Sequence, residues 1–244
     1  MRMSTDVAVA ARDHGRTRRY SIIESSVTTL PVEPLLASWD SSESPSQRRL
    51  AEYKATIRAL VAERLAAIDG AAGLRLVVGG NRSARGDLDN FLTPVADSLR
   101  DPRIASYAAV RRPGQESIIE IGRAVPAPPL AEAAWSFAVA RTTTSSDREA
   151  WKAEVAAGVG VHRCSTGLGP IEMEIGFAVG PHRSWTNLWK PVIDALGGVL
   201  GLTDARPWHP RDDRIDALAL HRAVDPALGN AVELGIWWRE HGTS

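Results

Sequence analysis

The chain has 244 residues, 44% of them hydrophobic and 24% charged, with 29 Lys plus Arg set against 29 Asp plus Glu. That composition fits one large or two small globular domains; the formal charge is zero and nothing resembles a basic arm or an acidic tail, so charge alone names no partner. Cys164 is the lone cysteine, which excludes an internal disulfide, and no apolar run approaches the ~20 residues of a membrane span.

The stretch Val7 to Ala11 is too short for a secretion signal and is flanked by Asp6 and Arg12, so the expectation is a soluble cytoplasmic protein without a membrane partner. Residues 1–19 hold five Arg and little apolar pattern, which predicts a flexible tail. Tyr20 to Thr28, rich in β-branched residues, predicts a strand. Leu50, Tyr53, Ile57, Leu60, Val61, Leu65 and Ile68 then recur at steps of three and four, the period of one helix face. Leu74 to Val78 predicts a second strand. Gly79-Gly80 fits a turn rather than a phosphate loop, because no Gly-Lys-Ser/Thr follows. A basic turn, Asn81 to Arg85, leads into Asp87-Leu88-Asp89-Asn90 and a helix reaching Leu99. Pro94 allows two readings of that helix: a start at Pro94 with Thr93 as cap, or an earlier start with proline inside. Ser117 to Ile121 predicts a closing strand, and Ala124 to Leu130, with three prolines, a linker. Beyond it come a strand at Trp135 to Ala140, a shorter helix from Trp151 and Val155, and a strictly alternating strand from Ile171 to Val179. A turn at His182-Arg183-Ser184, a helix from Pro191 to Val199, a loop at Pro207-Trp208-His209-Pro210 and a strand from Ala231 to Trp238 complete the chain.

The second series repeats the first. Tyr53-Lys54-Ala55 matches Trp151-Lys152-Ala153 at an offset of 98, and Asp89 to Leu99 matches Thr186 to Leu196 at 97, with five identities in eleven positions. Asp101-Pro102-Arg103-Ile104 then matches Asp212-Asp213-Arg214-Ile215 at 111, the 14 extra residues falling around Gly201 to Arg211. Three markers in one order predict a tandem duplication, residues 20–125 and 126–244, behind the 1–19 tail.

Two carboxylates in the Asp87-Leu88-Asp89 turn can face one space and offer the hard oxygens that Mg²⁺ takes. Helix capping by the same residues is the plainer alternative. The arrangement Asp-x-Asp-Asn, a Lys four positions after the second Asp, an Asp-x-Leu and an Asp-Asp pair resembles the RusA-type Holliday-junction resolvases. Its pieces stand as Asp87-Leu88-Asp89-Asn90, Lys190, Asp97-Ser98-Leu99, Asp194-Ala195-Leu196 and Asp212-Asp213. The resemblance implies an α/β fold of two RusA-like units packed as an internal pseudo-dimer, acting as monomer or weak homo-oligomer. It implies a Mg²⁺-dependent endonuclease for branched DNA in repair or recombination.

Carried over by position, the first unit keeps the turn carboxylates Asp87 and Asp89 but has Thr93 and Pro102 where the family has its Lys and an Asp. The second has Ser184 and Thr186 for the carboxylates but keeps Lys190 and Asp213. One complete set is thus split across the repeat. Either the units pack so that Asp87, Asp89 and Asp213 hold Mg²⁺ with Lys190 beside the phosphate, or both sites are broken and the chain is a catalytically silent DNA-binding or protein-interaction module. Arg82, Arg85 and Arg183 in the two basic turns are the expected DNA contacts, with Arg111 and Arg112 adding to a basic face if they cluster.

Lysine is scarce, with 26 of the 29 basic residues Arg. Lys54 and Lys152 at equivalent positions therefore suggest a shared role in the fold or in DNA-backbone contact, unless they are merely inherited. Seven of the eight Trp lie beyond residue 134; core and interface packing is favoured over stacking on unpaired bases. His182, His209 and His221 show no ligand spacing and are expected to be structural or at the surface.

Overall fold

The computed structural model describes residues 16–38, 40–41, 43–80, 86–131, 133–160, 169–203 and 206–240. These described residues form eight strands and five helices. In the first half these are β1 (Tyr20–Thr29), α1 (Pro45–Ala67), β2 (Ala72–Val78), α2 (Leu88–Leu99), β3 (Ile104–Arg111) and β4 (Ile118–Pro126). In the second they are β5 (Ser136–Thr142), α3 (Glu149–Val159), β6 (Ile171–Val179), α4 (Trp189–Asp194), α5 (Gly197–Leu200), β7 (Ile215–Val224) and β8 (Val232–Glu240). All eight strands join one mixed sheet in the order β1-β4-β2-β3-β7-β6-β8-β5. Read outward from the β3–β7 seam, both directions give the third, second, last and first strand of a half. The parallel pairs β2–β3 and β6–β7 are the helix-crossed ones, as parallel connection requires.

The seam strands are the elements that sequence pattern does not announce. Alanine-rich IASYAAVR and IDALALHRAV lack the β-branched enrichment of ordinary strands, yet pair antiparallel from Ser106↔His221 to Val110↔Ala217. Antiparallel pairing sets the end of β3 beside the start of β7, and the start of β3 beside the end of β7. The two ends of the seam are where the functional turns gather.

Helix α1 starts at Pro45 with Ser44 capping Gln47, and buries Leu50, Tyr53, Ile57, Val61 and Leu65, the predicted face. Helix α2 takes the earlier of the two starts, Leu88, which leaves Pro94 inside it. Proline has no N–H for the Asn90 carbonyl four residues back. That carbonyl instead accepts from Ala37 N–H at 2.9 Å, so the helix break fastens the segment after β1. Gly79 and Gly180 end β2 and β6 at matching places. A Cβ on either would stand 2.1 Å from the Gln115 or Gly229 carbonyl oxygen, so both strand ends abut the turn joining the last two strands of their half.

One large core runs through both halves, and Trp151, Trp185, Trp189, Trp237 and Trp238 are buried. Tyr107 of β3 meets Trp189 edge-on at 5.4 Å and Trp185 at 5.8 Å, so aromatic packing crosses the seam. Lys54 and Lys152 occupy the same place in each half: Lys54 pairs with Asp97 at 2.9 Å and Lys152 with Asp194 at 2.7 Å, each tying two helices. Residues 1–15 of the expected tail lie outside the described residues. Arg16 to Arg19, by contrast, cross the second half: Arg16 N–H donates to Glu233, and Arg19 grips Glu174 through two hydrogen bonds of 2.6 and 2.7 Å. Among the described residues no helix is long and apolar enough to cross a membrane.

Candidate metal centre

The end of the seam where β3 finishes and β7 begins collects chain from both halves. Strand β2 runs parallel to β3, so the connection leaving it returns to α2 at this end. The three residues before β7 form a 3₁₀ turn, Asp212–Arg214. Arg111, the last residue of β3, ties these segments together: its guanidinium donates to the Gly86 carbonyl at 2.6 Å and to the Ile215 carbonyl at 3.2 Å. Gly86 precedes Asp87, and Ile215 follows the Asp212 turn.

Asp87, Asp89 and Asp212 consequently converge, with one carboxylate oxygen of each within 4.8 Å of the others. Asp87 holds the N-cap position of α2, but its side chain caps nothing; the Asn90 amide donates to it instead at 3.1 Å. The Asp87 side chain is therefore not a helix cap. Asp89 sits in the first turn of the helix, 3% exposed.

Lys190 reaches the cluster from α4. Its ammonium donates to Asp212 at 2.6 Å and lies 3.3 Å from Asp194, whose second oxygen takes Lys152. The chain Lys152–Asp194–Lys190–Asp212 thus fixes the lysine from behind.

The electrostatics follow from this crowding. Burial, joined by the charges of Asp212 and Asp87, outweighs the attraction of Lys190 and pushes the Asp89 carboxyl up to about 6. Asp87 is also raised, first by burial and then by Asp212. At Lys190 burial favours the neutral amine, but Asp89, Asp212 and Asp194 together overcome it and hold the ammonium above its ordinary range. Three close carboxylates that repel one another, all hard oxygen donors, are a donor set suited to a divalent cation. A bound cation would relieve that repulsion, which adds to burial in raising Asp89.

Beside the cluster lies a pocket of about 610 Å³, bounded by Asp87, Lys190, Asp212 and Lys152 and by Trp208 and His209 of the loop after α5. That loop is the insertion seen in the sequence. It is closed by Thr203 N–H to His209 at 2.8 Å and Arg211 N–H to Gly201 at 2.9 Å, and Trp208 adopts a left-handed backbone, φ 61°. A bulky residue rarely sits there outside a constrained turn.

Of the expected site residues, the fold brings together Asp87, Asp89 and Lys190. Asp213 is exposed and outside the three-carboxylate group, although its charge acts on Asp87 and Arg111; its neighbour Asp212 supplies the third oxygen. Arg82 and Arg85 lie outside the described residues. Arg183 stands at the other end of the seam, in a pocket with Ser184 and Thr186, which align in sequence with Asp87 and Asp89. Sequence reasoning missed three parts of this centre. They are Asp212 as the member of the Asp-Asp pair that faces Asp89, Asp194 as the residue that steadies Lys190, and Arg111 as the staple. Asp194 could have been found from its i, i+4 spacing to Lys190. The other two depend on the unannounced seam. No family model and no curated protein matches the chain.

Proposed function

We propose that the chain is two divergent RusA-like units joined in tandem as an internal pseudo-dimer, and that it hydrolyses a phosphodiester of branched DNA with one Mg²⁺ ion. The observation that carries this reading is the meeting of the Asp87 and Asp89 carboxylates of one half with Asp212 of the other within 4.8 Å, with Lys190 held 2.6 Å from Asp212 and its charge acting on Asp89. The repeated element series, the sheet order mirrored about the seam and the matched Lys54–Asp97 and Lys152–Asp194 pairs support the duplication.

In this account Asp87, Asp89 and Asp212 hold the ion. A divalent ion held there would supply Lewis-acid stabilisation of phosphoryl charge and would lower the pKa of water. Lys190, fixed by Asp194 and Asp212, faces the charge that builds on the phosphoryl group and stabilises it. Water oxygen bonds to phosphorus as the bond to one deoxyribose oxygen breaks. One water proton ends on that departing oxygen, and the products are a phosphomonoester and a free hydroxyl. With one such centre per chain, each chain makes one cut.

The test is cleavage of end-labelled four-way and flap DNA with and without Mg²⁺. Wild type should cut only with the ion, and Asp87→Asn, Asp212→Asn and Lys190→Met should each lose the activity. Folded wild-type protein that binds these substrates but cuts none would overturn the nuclease and leave a binding module. Protein that neither binds nor cuts would overturn the nucleic-acid reading altogether.

A further inference from the structure

The opposite end of the seam, where β3 begins and β7 finishes, has a related construction and a different chemistry. Arg222, at the same place in β7 as Arg111 in β3, donates to the Pro102 carbonyl there. Ser184 and Thr186 stand where the other end has Asp87 and Asp89, and Asp101 stands where it has Asp212. Asp101 is not available as a metal ligand in the same way: Arg103 donates to both of its oxygens at 2.8–3.3 Å, whereas Lys190 donates to one oxygen of Asp212. A pocket of about 420 Å³ opens here between Arg100, Arg183 and Arg222, with Ser184, Thr186 and Asn187 on its wall. Asp97 and Asp101 also line it, each already paired, with Lys54 and Arg103 respectively. Asp147 acts on Arg183 from the turn before α3. Cations outnumber carboxylates, the reverse of the metal end. Arg183 Nη2 is buried and makes no hydrogen bond among the described residues. A buried guanidinium nitrogen left without an acceptor is costly, about 1–3 kcal/mol, and rotation of this half-buried side chain into the pocket would let an anionic oxygen satisfy it.

We propose that this pocket is a non-cutting seat for a second backbone phosphate of the same DNA, held by Arg183, Arg100 and Arg222. The inference rests on the nucleic-acid reading above. Replacing two ligand carboxylates by hydroxyls removes metal binding and cutting while leaving the position equivalent to the one that receives a phosphate at the other end. Guanidiniums with hydroxyl and amide donors suit a phosphodiester, which needs several donors and no acceptor. An eight-residue strand spans roughly 24 Å, so the seat lies about that far along the seam from the carboxylates. The molecule would then grip a branched DNA at two related points and sever only one of them.

The experiment is equilibrium binding of a labelled four-way junction in EDTA over a series of salt concentrations, by fluorescence anisotropy. Arg183→Gln should weaken binding about tenfold, the loss of one charge-assisted contact, and flatten the log–log salt slope by about 1. Ser184→Glu, on an exposed turn, adds a negative charge without disturbing the core and should act in the same direction. Unchanged affinity and slope in both variants, with wild type still binding and cutting, would overturn the seat alone. Wild type that fails to bind any junction would overturn both the seat and the nucleic-acid reading.

Discussion

Asp89→Asn should stabilise the metal-free protein at neutral pH. Asp89 is 3% exposed with its carboxyl pushed up to about 6, chiefly by burial, against an ordinary value of 3.8. Between those two values the folded state binds the proton and the unfolded state does not, so stability from this group falls as pH rises through that window. Above it, the ionised carboxylate costs about 3 kcal/mol, from ~1.4 kcal/mol for each pH unit of displacement. Asparagine keeps the shape and removes the charge, while Lys190 retains Asp212 and Asp194 as partners. At 2–4 °C per kcal/mol for a chain of this size, the variant should melt roughly 6–12 °C above wild type in EDTA near pH 7.5. The gap should close toward pH 4, where wild-type Asp89 is protonated. Adding Mg²⁺ should raise the wild-type melting temperature by mass action and leave the variant nearly unmoved. Melting curves at the two pH values, with and without the ion, check all three. A variant that melts below wild type in EDTA at pH 7.5, or a gap that does not depend on pH, would show that the buried Asp89 charge is not a net cost to the fold.

Other perturbations probe the scaffold. Glu174 accepts from both Arg19 and His221, and although burial opposes ionisation these partners lower its carboxyl to about 2. Its contribution is present above pH 4.5 and lost as pH falls toward 2, so Glu174→Gln should cost about 3 kcal/mol in denaturant titrations at pH 7 and little in acid. Trp189→Ala empties a position 1% exposed in the cluster that crosses the seam, and should cost about 3–5 kcal/mol by the same measurement. Gly180→Ala places a Cβ 2.1 Å from the Gly229 carbonyl oxygen and should cost about 1–3 kcal/mol, read as a lowered melting temperature.

Much of this molecule was legible in its sequence. Alternation in Ile171 to Val179 and the spacing from Leu50 to Leu65 marked a strand and a helix face because burial imposes those periods directly. The acidic turn and the lone lysine of α4 were visible as chemistry, and the repeat made their complementarity visible as well. The seam was not. Strands β3 and β7 are rich in alanine, whose local preference does not favour extended chain; pairing across the middle of the sheet decides them. Without the seam, nothing in the sequence says that Arg111 bridges Gly86 and Ile215, or which carboxylate of Asp212-Asp213 turns inward. The same limit applied at Pro94. Its place inside α2 depends on Ala37, more than fifty residues earlier, accepting the role of donor to a freed carbonyl.

Manganese serves as a paramagnetic stand-in for Mg²⁺, and its titration into the chain, followed by electron paramagnetic resonance, addresses the shared centre itself. The account predicts one site per chain, abolished by Asp87→Asn and by Asp212→Asn and retained by the exposed Asp213→Asn. A site that survives Asp212→Asn but not Asp213→Asn, or no site at all in folded wild-type protein, would contradict a centre assembled from Asp87, Asp89 and Asp212.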